Sequence, residues 1–168
     1  MNHRIAMLAA AVVTCLGTTV AVAPTPAQAA PDVVVGVFIF YLQGTPEQEY
    51  CLGTNGVGNQ VTVTDTGSKC ANVTVTRDGM WNGNTVYQFR NGNDNCIRAN
   101  NSNQVKLASG PCSTTDAGAE WIITNGSLSS GSVDRFENLM NFLWLKTTAY
   151  AETNVLVGTG GVNNWLIV

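Results

Sequence analysis

The sequence is poor in histidine and in charged residues. Its single histidine, His3, lies within the first 29 residues, and only 11% of all residues are charged. Those first residues have the pattern of a cleaved signal, so we expect the mature chain to contain no histidine. A chain without histidine cannot form Ser–His or Cys–His nucleophilic pairs or His-ligated zinc sites. We therefore expect a protein that is not an enzyme and that carries no metal or other cofactor.

Positive charge is scarce as well. The chain has 8 Lys and Arg residues against 11 Asp and Glu residues, and its net charge is −3. The basic residues form no stripe, so we expect no nucleic-acid partner. Neighbouring acids, such as Glu47 with Glu49 and Asp134 with Glu137, are interpreted as solvated turn residues rather than as a catalytic pair.

Residues 1–29 have the features of a secretory signal peptide. Arg4 gives a short basic start, and Ile5–Val22 is an apolar run rich in alanine and valine. Two prolines follow the run, and Ala27-Gln28-Ala29 has the small–x–small form of a cleavage site. We therefore predict a secreted, extracellular protein whose single domain covers residues 30–168.

Two alternatives for this leading segment stay open. A retained membrane anchor is disfavoured because threonine and glycine interrupt the apolar run. A lipid anchor on Cys15 is disfavoured because Thr14 is larger than the residue expected before a lipidated cysteine. No later apolar run is long enough to cross a bilayer, so we do not expect a membrane-spanning protein.

One pattern occurs three times, in copies taken as residues 33–78, 79–126 and 127–168. Each copy has an opening pair, a valine-containing strand and a closing element. The opening pairs are Cys51-Leu52, Cys96-Ile97 and Trp144-Leu145. The strands contain Val61-x-Val63, Val105-x-Leu107 and Val155-x-Val157. The closing elements are Cys70 in the first copy, Cys112 with Trp121-x-Ile123 in the second, and Trp165-x-Ile167 in the third. A period of roughly 45 residues predicts three similar supersecondary units around one core.

Four cysteines remain once the leading segment with Cys15 is set aside. Four cysteines in a secreted chain indicate two disulfides, and three connectivities are possible. The repeat favours Cys51–Cys70 and Cys96–Cys112, with one bridge inside each of the first two copies. Metal binding by the four cysteines is the alternative, and the absence of CxxC spacing disfavours it.

Short segments rich in β-branched and aromatic residues alternate with clusters of Gly, Asn, Ser and Asp, which predicts an all-β fold with about twelve strands. Arg135–Phe142 is the possible exception, and a turn or two of helix is predicted there. We expect Val33–Phe40 to pair with the C-terminal strand Trp165–Val168 and so to close a small barrel. Core packing is predicted for Trp121, Trp144 and Trp165.

With these motifs, the chain resembles the ricin-B-type β-trefoil lectins from about Val35 to Val168. The resemblance implies a β-trefoil fold and sugar binding. In that family an Asp follows the opening pair and an aromatic residue follows the valine-containing strand. The corresponding residues here are Gly53, Arg98 and Lys146 for the Asp, and Thr64, Ala108 and Gly158 for the aromatic residue. A sugar site would therefore be a non-standard one.

Five residues are candidates for contacting carbohydrate at such a site: Trp81, Tyr150, Asn101, Asn103 and Asn163. Trp81 lies in a polar, Gly- and Asn-rich link, where an exposed ring could stack on a sugar or contact a protein. The alternative is that Trp81 covers the end of the barrel. Asparagine amides suit sugar hydroxyls, but they equally suit tight turns.

These observations predict a secreted, non-enzymatic, lectin-like protein that binds a carbohydrate or a cell-surface glycan. The alternative is a secreted protein-binding trefoil, such as a protease inhibitor that presents an exposed loop. That alternative rests on fold analogy.

Overall fold

A computed structural model describes residues 33–44, 49–65, 70–125, 127–149 and 153–168, and over these residues the protein is all-β, as predicted. The described residues form fourteen strands and the 3-10 turn Ala117–Ala119, and they include no α-helix. The strands are β1 Val33–Phe38, β2 Phe40–Leu42, β3 Tyr50–Gly53, β4 Thr62–Asp65, β5 Val73–Trp81, β6 Asn84–Asn91, β7 Cys96–Ala99, β8 Val105–Ala108, β9 Glu120–Asn125, β10 Val133–Asn138, β11 Leu143–Lys146, β12 Thr153–Asn154, β13 Leu156–Gly158 and β14 Trp165–Ile167. The leading segment 1–29 lies outside the described residues.

The longest strands pair into a closed ring. From β5 the antiparallel pairings run through β6, β9 and β10 to β14. The consecutive strands β1 and β2 close it, because β1 pairs with β5 while β2 pairs with β14. Val33–Phe40 was predicted to pair with the C-terminal strand, and for Val33–Phe38 this is wrong, because these residues pair with β5. Pairing with the C-terminal strand begins only at Ile39 and continues through β2.

Three further strand pairs extend from alternate strands of the ring. The pair β3–β4 is attached to β2, the pair β7–β8 to β6, and the pair β11–β13 to β10. Their buried valines bond to one another in a cycle: Val61 N donates to Val105 O at 2.8 Å, Val105 N to Val155 O at 3.3 Å, and Val155 N to Val61 O at 2.9 Å. The cycle joins the three pairs at one place.

The core lies inside the ring. Its centre is a triad of phenylalanines, one from each of β2, β6 and β10, whose ring centroids are 5.0–5.3 Å apart: Phe40, Phe89 and Phe136. Trp121 and Trp165 are also fully buried, and their indole N–H groups donate to the carbonyls of Ile97 and Leu145. These bonds satisfy the polar atom that each buried indole brings into the core.

Both predicted disulfides are present. Cys51 is bonded to Cys70 and Cys96 to Cys112. Each bridge ties the first strand of an attached pair to the chain that follows the pair. The described residues include no helix long and apolar enough to cross a bilayer.

Two further sequence-based predictions are wrong. The expected helical turn over Arg135–Phe142 is instead the strand β10 followed by a four-residue loop. Buried and half-buried residues alternate along β10, as they do in a strand. Two of the buried side chains, Asp134 and Asn138, are polar, so the sequence shows no alternation of apolar and polar residues. Trp144 is half-buried and lies outside the main core cluster, whereas Cys51 and Cys96 at the matching opening positions are buried.

Candidate functional site

The candidate site is built around Trp81, at the tip of the β5–β6 hairpin. The turn is Asn82-Gly83, and both residues have positive φ, of 47° and 82°. Two consecutive left-handed residues give the tight turn whose twist matches a β-hairpin, and Asn-Gly is the sequence that favours it. Trp81 therefore ends a regular strand beside a rigid turn, and 36% of it is exposed.

Phe142 lies against Trp81, with the two ring centroids 5.4 Å apart and the ring planes tilted by 35°. Phe142 ends the loop between β10 and β11 and is 53% exposed. Its φ is +54°, a conformation that is a genuine outlier for a bulky residue. Such backbone costs on the order of 1–3 kcal/mol and is retained where the surrounding structure or a function requires it. We call Trp81 and Phe142 the aromatic patch.

Two amides stand next to the aromatic patch. Asn141, which precedes Phe142, donates from Nδ2 to Oδ1 of Asn103 at 3.0 Å. Asn103, in the β7–β8 loop, has a φ of +60° and accepts a bond from Val157 N through its carbonyl. The Oδ1 atom of Asn141 is buried and has no hydrogen-bond partner among the described residues. We call Asn103 and Asn141 the amide pair, and it holds an unused acceptor beside the two rings.

The remaining predicted sugar contacts do not join this patch. Asn101 is exposed in the same turn as Asn103, and the turn is formed by Asn100, whose Oδ1 accepts from the backbone N–H groups of Ser102 and Gln104. Asn163 is buried, with 8% of its surface exposed. Tyr150 lies outside the described residues. Of the five predicted contacts, Trp81 and Asn103 are brought together, through Asn141 and Phe142.

The positions that contact sugar in the ricin-B-type pattern are engaged in other contacts. Gly53 is buried, and its backbone forms an isolated antiparallel β-bridge with that of Cys70. Arg98 forms an ion pair with Asp116, with Nη1 and Oδ2 2.8 Å apart. Lys146 donates from Nζ to Thr159 O at 3.0 Å.

The side chain of Lys146 also occupies the space beside Gly158. A Cβ atom added at Gly158 would lie 2.6 Å from Cε of Lys146. Any larger residue at Gly158, including the aromatic one of the ricin-B-type pattern, would displace that side chain. In the third copy, the flexible end of Lys146 therefore occupies the place of the usual stacking ring.

Three carboxylates converge near the start of β9. Burial raises the pKa of Glu120, and the negative charges of Asp78 and Asp116 raise it further. Both neighbours already have structural partners, since Asp78 accepts from Gln88 at 2.9 Å and Asp116 from Arg98 and Gly118 N. This convergence was not predicted from the sequence, because the three acids belong to separate segments.

The acid neighbours considered from the sequence do not face each other. Asp134 is fully buried and accepts bonds from Ser127 N, Leu128 N and Ser132 Oγ. Glu137 lies on the opposite, half-buried face of β10, and Glu47 lies outside the described residues. Within the described ranges no group of three or more His, Cys, Asp or Glu residues could hold a metal ion.

The chain was also compared with known proteins. No family model matches it, and no curated protein matches it. Its function is therefore inferred from its own residues and their geometry.

Sequence reasoning missed Phe142 and Asn141. Phe142 was included in Arg135–Phe142, the segment for which a turn or two of helix was predicted, and was given no role in a site. The available signal was Asn141 as a typical turn residue, although the left-handed residue is Phe142 and not Asn141. That signal does not reveal that the ring meets Trp81.

Proposed function

We propose that the domain is a β-trefoil of three repeats. The closed ring with an attached strand pair on β2, β6 and β10 supports this fold. The phenylalanine triad and the cycle of valine bonds support it as well, because each draws one residue from each predicted copy. Equivalent contacts repeated three times are what a common core of three similar units requires.

We also propose that the protein is a secreted, non-enzymatic carbohydrate-binding protein whose site is the aromatic patch with the amide pair. The observation that carries the proposal is Phe142, an exposed ring held on left-handed backbone against a second exposed ring. Folding alone gives no reason to keep this residue there, since its side chain is not buried. A ligand that uses the ring gives one.

The chemistry of the patch suits a sugar. The apolar face of a pyranose packs on aromatic rings, and amides both donate to and accept from hydroxyl groups. Trp81 and Phe142 supply the rings, and the amides of Asn103 and Asn141 lie beside them. The two disulfides are compatible with an oxidising, extracellular location.

The test is a glycan array followed by titration of the best ligand with three variants. Trp81→Ala and Phe142→Ala should each weaken binding by on the order of tenfold, about 1.4 kcal/mol, while Trp81→Phe keeps a ring and should retain most of the affinity. Val57→Ala is the matched control, because Val57 is an exposed apolar loop residue that makes none of the contacts of the patch. Unchanged affinity in both alanine variants would contradict the proposed site. An array on which no glycan binds would contradict the proposed function.

Binding to a protein is the second candidate. Met80, beside Trp81, is 67% exposed, so the surface around the aromatic patch is apolar in the way that protein contacts often are. Inhibition of a secreted protease, lost on Trp81→Ala, would favour this candidate over sugar binding.

A further inference from the structure

Among the described residues, the side chain of Arg135 contacts two neutral groups. Its Nε donates to Oδ1 of Asn164 at 2.7 Å, and its Cζ lies 5.6 Å from the centre of the Trp144 ring. Neither partner carries a negative charge. Arg90 and Arg98 differ in this respect, because each forms an ion pair, with Asp94 and Asp116.

The elements around Arg135 are hydrogen-bonded to neighbouring parts of the fold. Trp144 lies on β11, between Glu137 of β10 and Gly158 of β13. Asn164 is anchored through its carbonyl, which accepts from Gln43 N at 3.0 Å. The guanidinium plane is therefore fixed before any ligand arrives, which lowers the entropy cost of binding.

The edge of the guanidinium that makes no contact with described residues is the one formed by its two Nη nitrogens. With Nε bonded to Asn164, the side formed by Nε and one Nη is occupied. The two Nη nitrogens donate to no described residue, and Arg135 is half-buried, so part of its side chain is open to solvent. Two parallel N–H donors in one plane match the two oxygens of a carboxylate.

We propose that Arg135 binds the carboxylate of an acidic sugar, so that the glycan bound at the aromatic patch contains uronic acid. This inference rests on the proposed function. Phe142 and Trp144 are two residues apart, so their Cα atoms are within about 7 Å, and an oligosaccharide on the patch can extend to Arg135. Lys146 lies on the same face of β11 as Trp144 and adds positive charge there. It offsets the negative charge of Glu137, which is paired with Trp144 across the strands.

The test uses uronic-acid oligosaccharides in free and methyl-esterified forms, a pair that differs in charge and not in the sugar ring. We expect the secreted protein to bind the free acid at least tenfold more tightly than the ester. Arg135→Gln should remove this preference, chiefly by weakening binding of the free acid, and Arg135→Lys should retain part of it, because lysine keeps the charge without the paired donors. Trp81→Ala should weaken binding of both forms.

A spectroscopic readout separates binding from a structural role of Arg135. The Nε–H resonance, assigned by its loss in Arg135→Lys, should shift with the free acid and not with the ester. Equal binding of both forms would overturn the acidic-sugar assignment and leave the proposed function standing, whereas no binding of any glycan would overturn both. Tighter binding of a sulfated oligosaccharide would overturn the assignment of the charged group as a carboxylate. Equal binding of an acidic peptide would overturn the assignment of the ligand as a glycan.

Discussion

At the scale of single residues, the informative positions are those where a residue type disagrees with its surroundings. Phe142 is an aromatic residue that is exposed on left-handed backbone, and Asn141 holds a buried acceptor without a partner among the described residues. Asp134 is the opposite case, because its buried carboxylate has three donors that order the loop before β10. A fully satisfied buried group serves stability, whereas an unsatisfied one calls for an explanation, and the site proposed at the aromatic patch offers one.

Glu120 gives a prediction at this scale. Burial first, and then Asp78 and Asp116, raise its pKa above the ordinary value of 4.5. The folded protein then holds the proton more tightly than the unfolded chain, so this group lowers stability as the pH rises from about that value through the raised pKa. Glu120→Gln should therefore raise the midpoint of thermal unfolding near neutral pH and leave it unchanged well below 4.5. A lower midpoint at neutral pH would contradict this.

At the scale of elements, turn chemistry was legible in the sequence, but one strand was not. The strands end at Asn82-Gly83 and at the polar clusters, as the sequence predicts, because left-handed backbone favours those residue types. β10 was missed because Asp134 and Asn138 face inward and break the apolar alternation. Their partners, including Gly118 O for Asn138 and Ser127 N for Asp134, come from other segments.

The disulfides of the attached strand pairs provide the second prediction. The bridges close loops with separations of 19 and 16 residues, and each should stabilise the domain by about 3 kcal/mol through the unfolded state. Replacing either pair of cysteines by alanine should lower the free energy of unfolding by about that amount, measured by urea denaturation. Two nearly equal losses are expected because the loops are of similar length. A variant without any loss would show that its bridge is not a source of stability.

At the scale of the whole molecule, stability and binding should separate between two phenylalanines. Phe136 is fully buried in the central triad, and Phe142 is exposed in the aromatic patch. Phe136→Ala should cost about 3–5 kcal/mol of unfolding free energy, whereas Phe142→Ala should change it by no more than about 0.5 kcal/mol. Chemical denaturation with a parallel glycan titration checks both, since Phe142→Ala should lose binding instead. A large stability loss in Phe142→Ala would make that ring structural.

The sequence by itself determined the all-β class, the strand-and-turn rhythm and the disulfide pairing. These follow from local spacing and from residue types such as the cysteine pairs and Asn82-Gly83, which act over short stretches of chain. Only the tertiary structure decided that Phe142 meets Trp81, that Asn103 meets Asn141, and that Arg135 rests on Trp144 between neutral partners. Such contacts join residues from separate hairpins or across the two strands of one hairpin. Their formation depends on ring closure and hairpin packing, which no local pattern encodes.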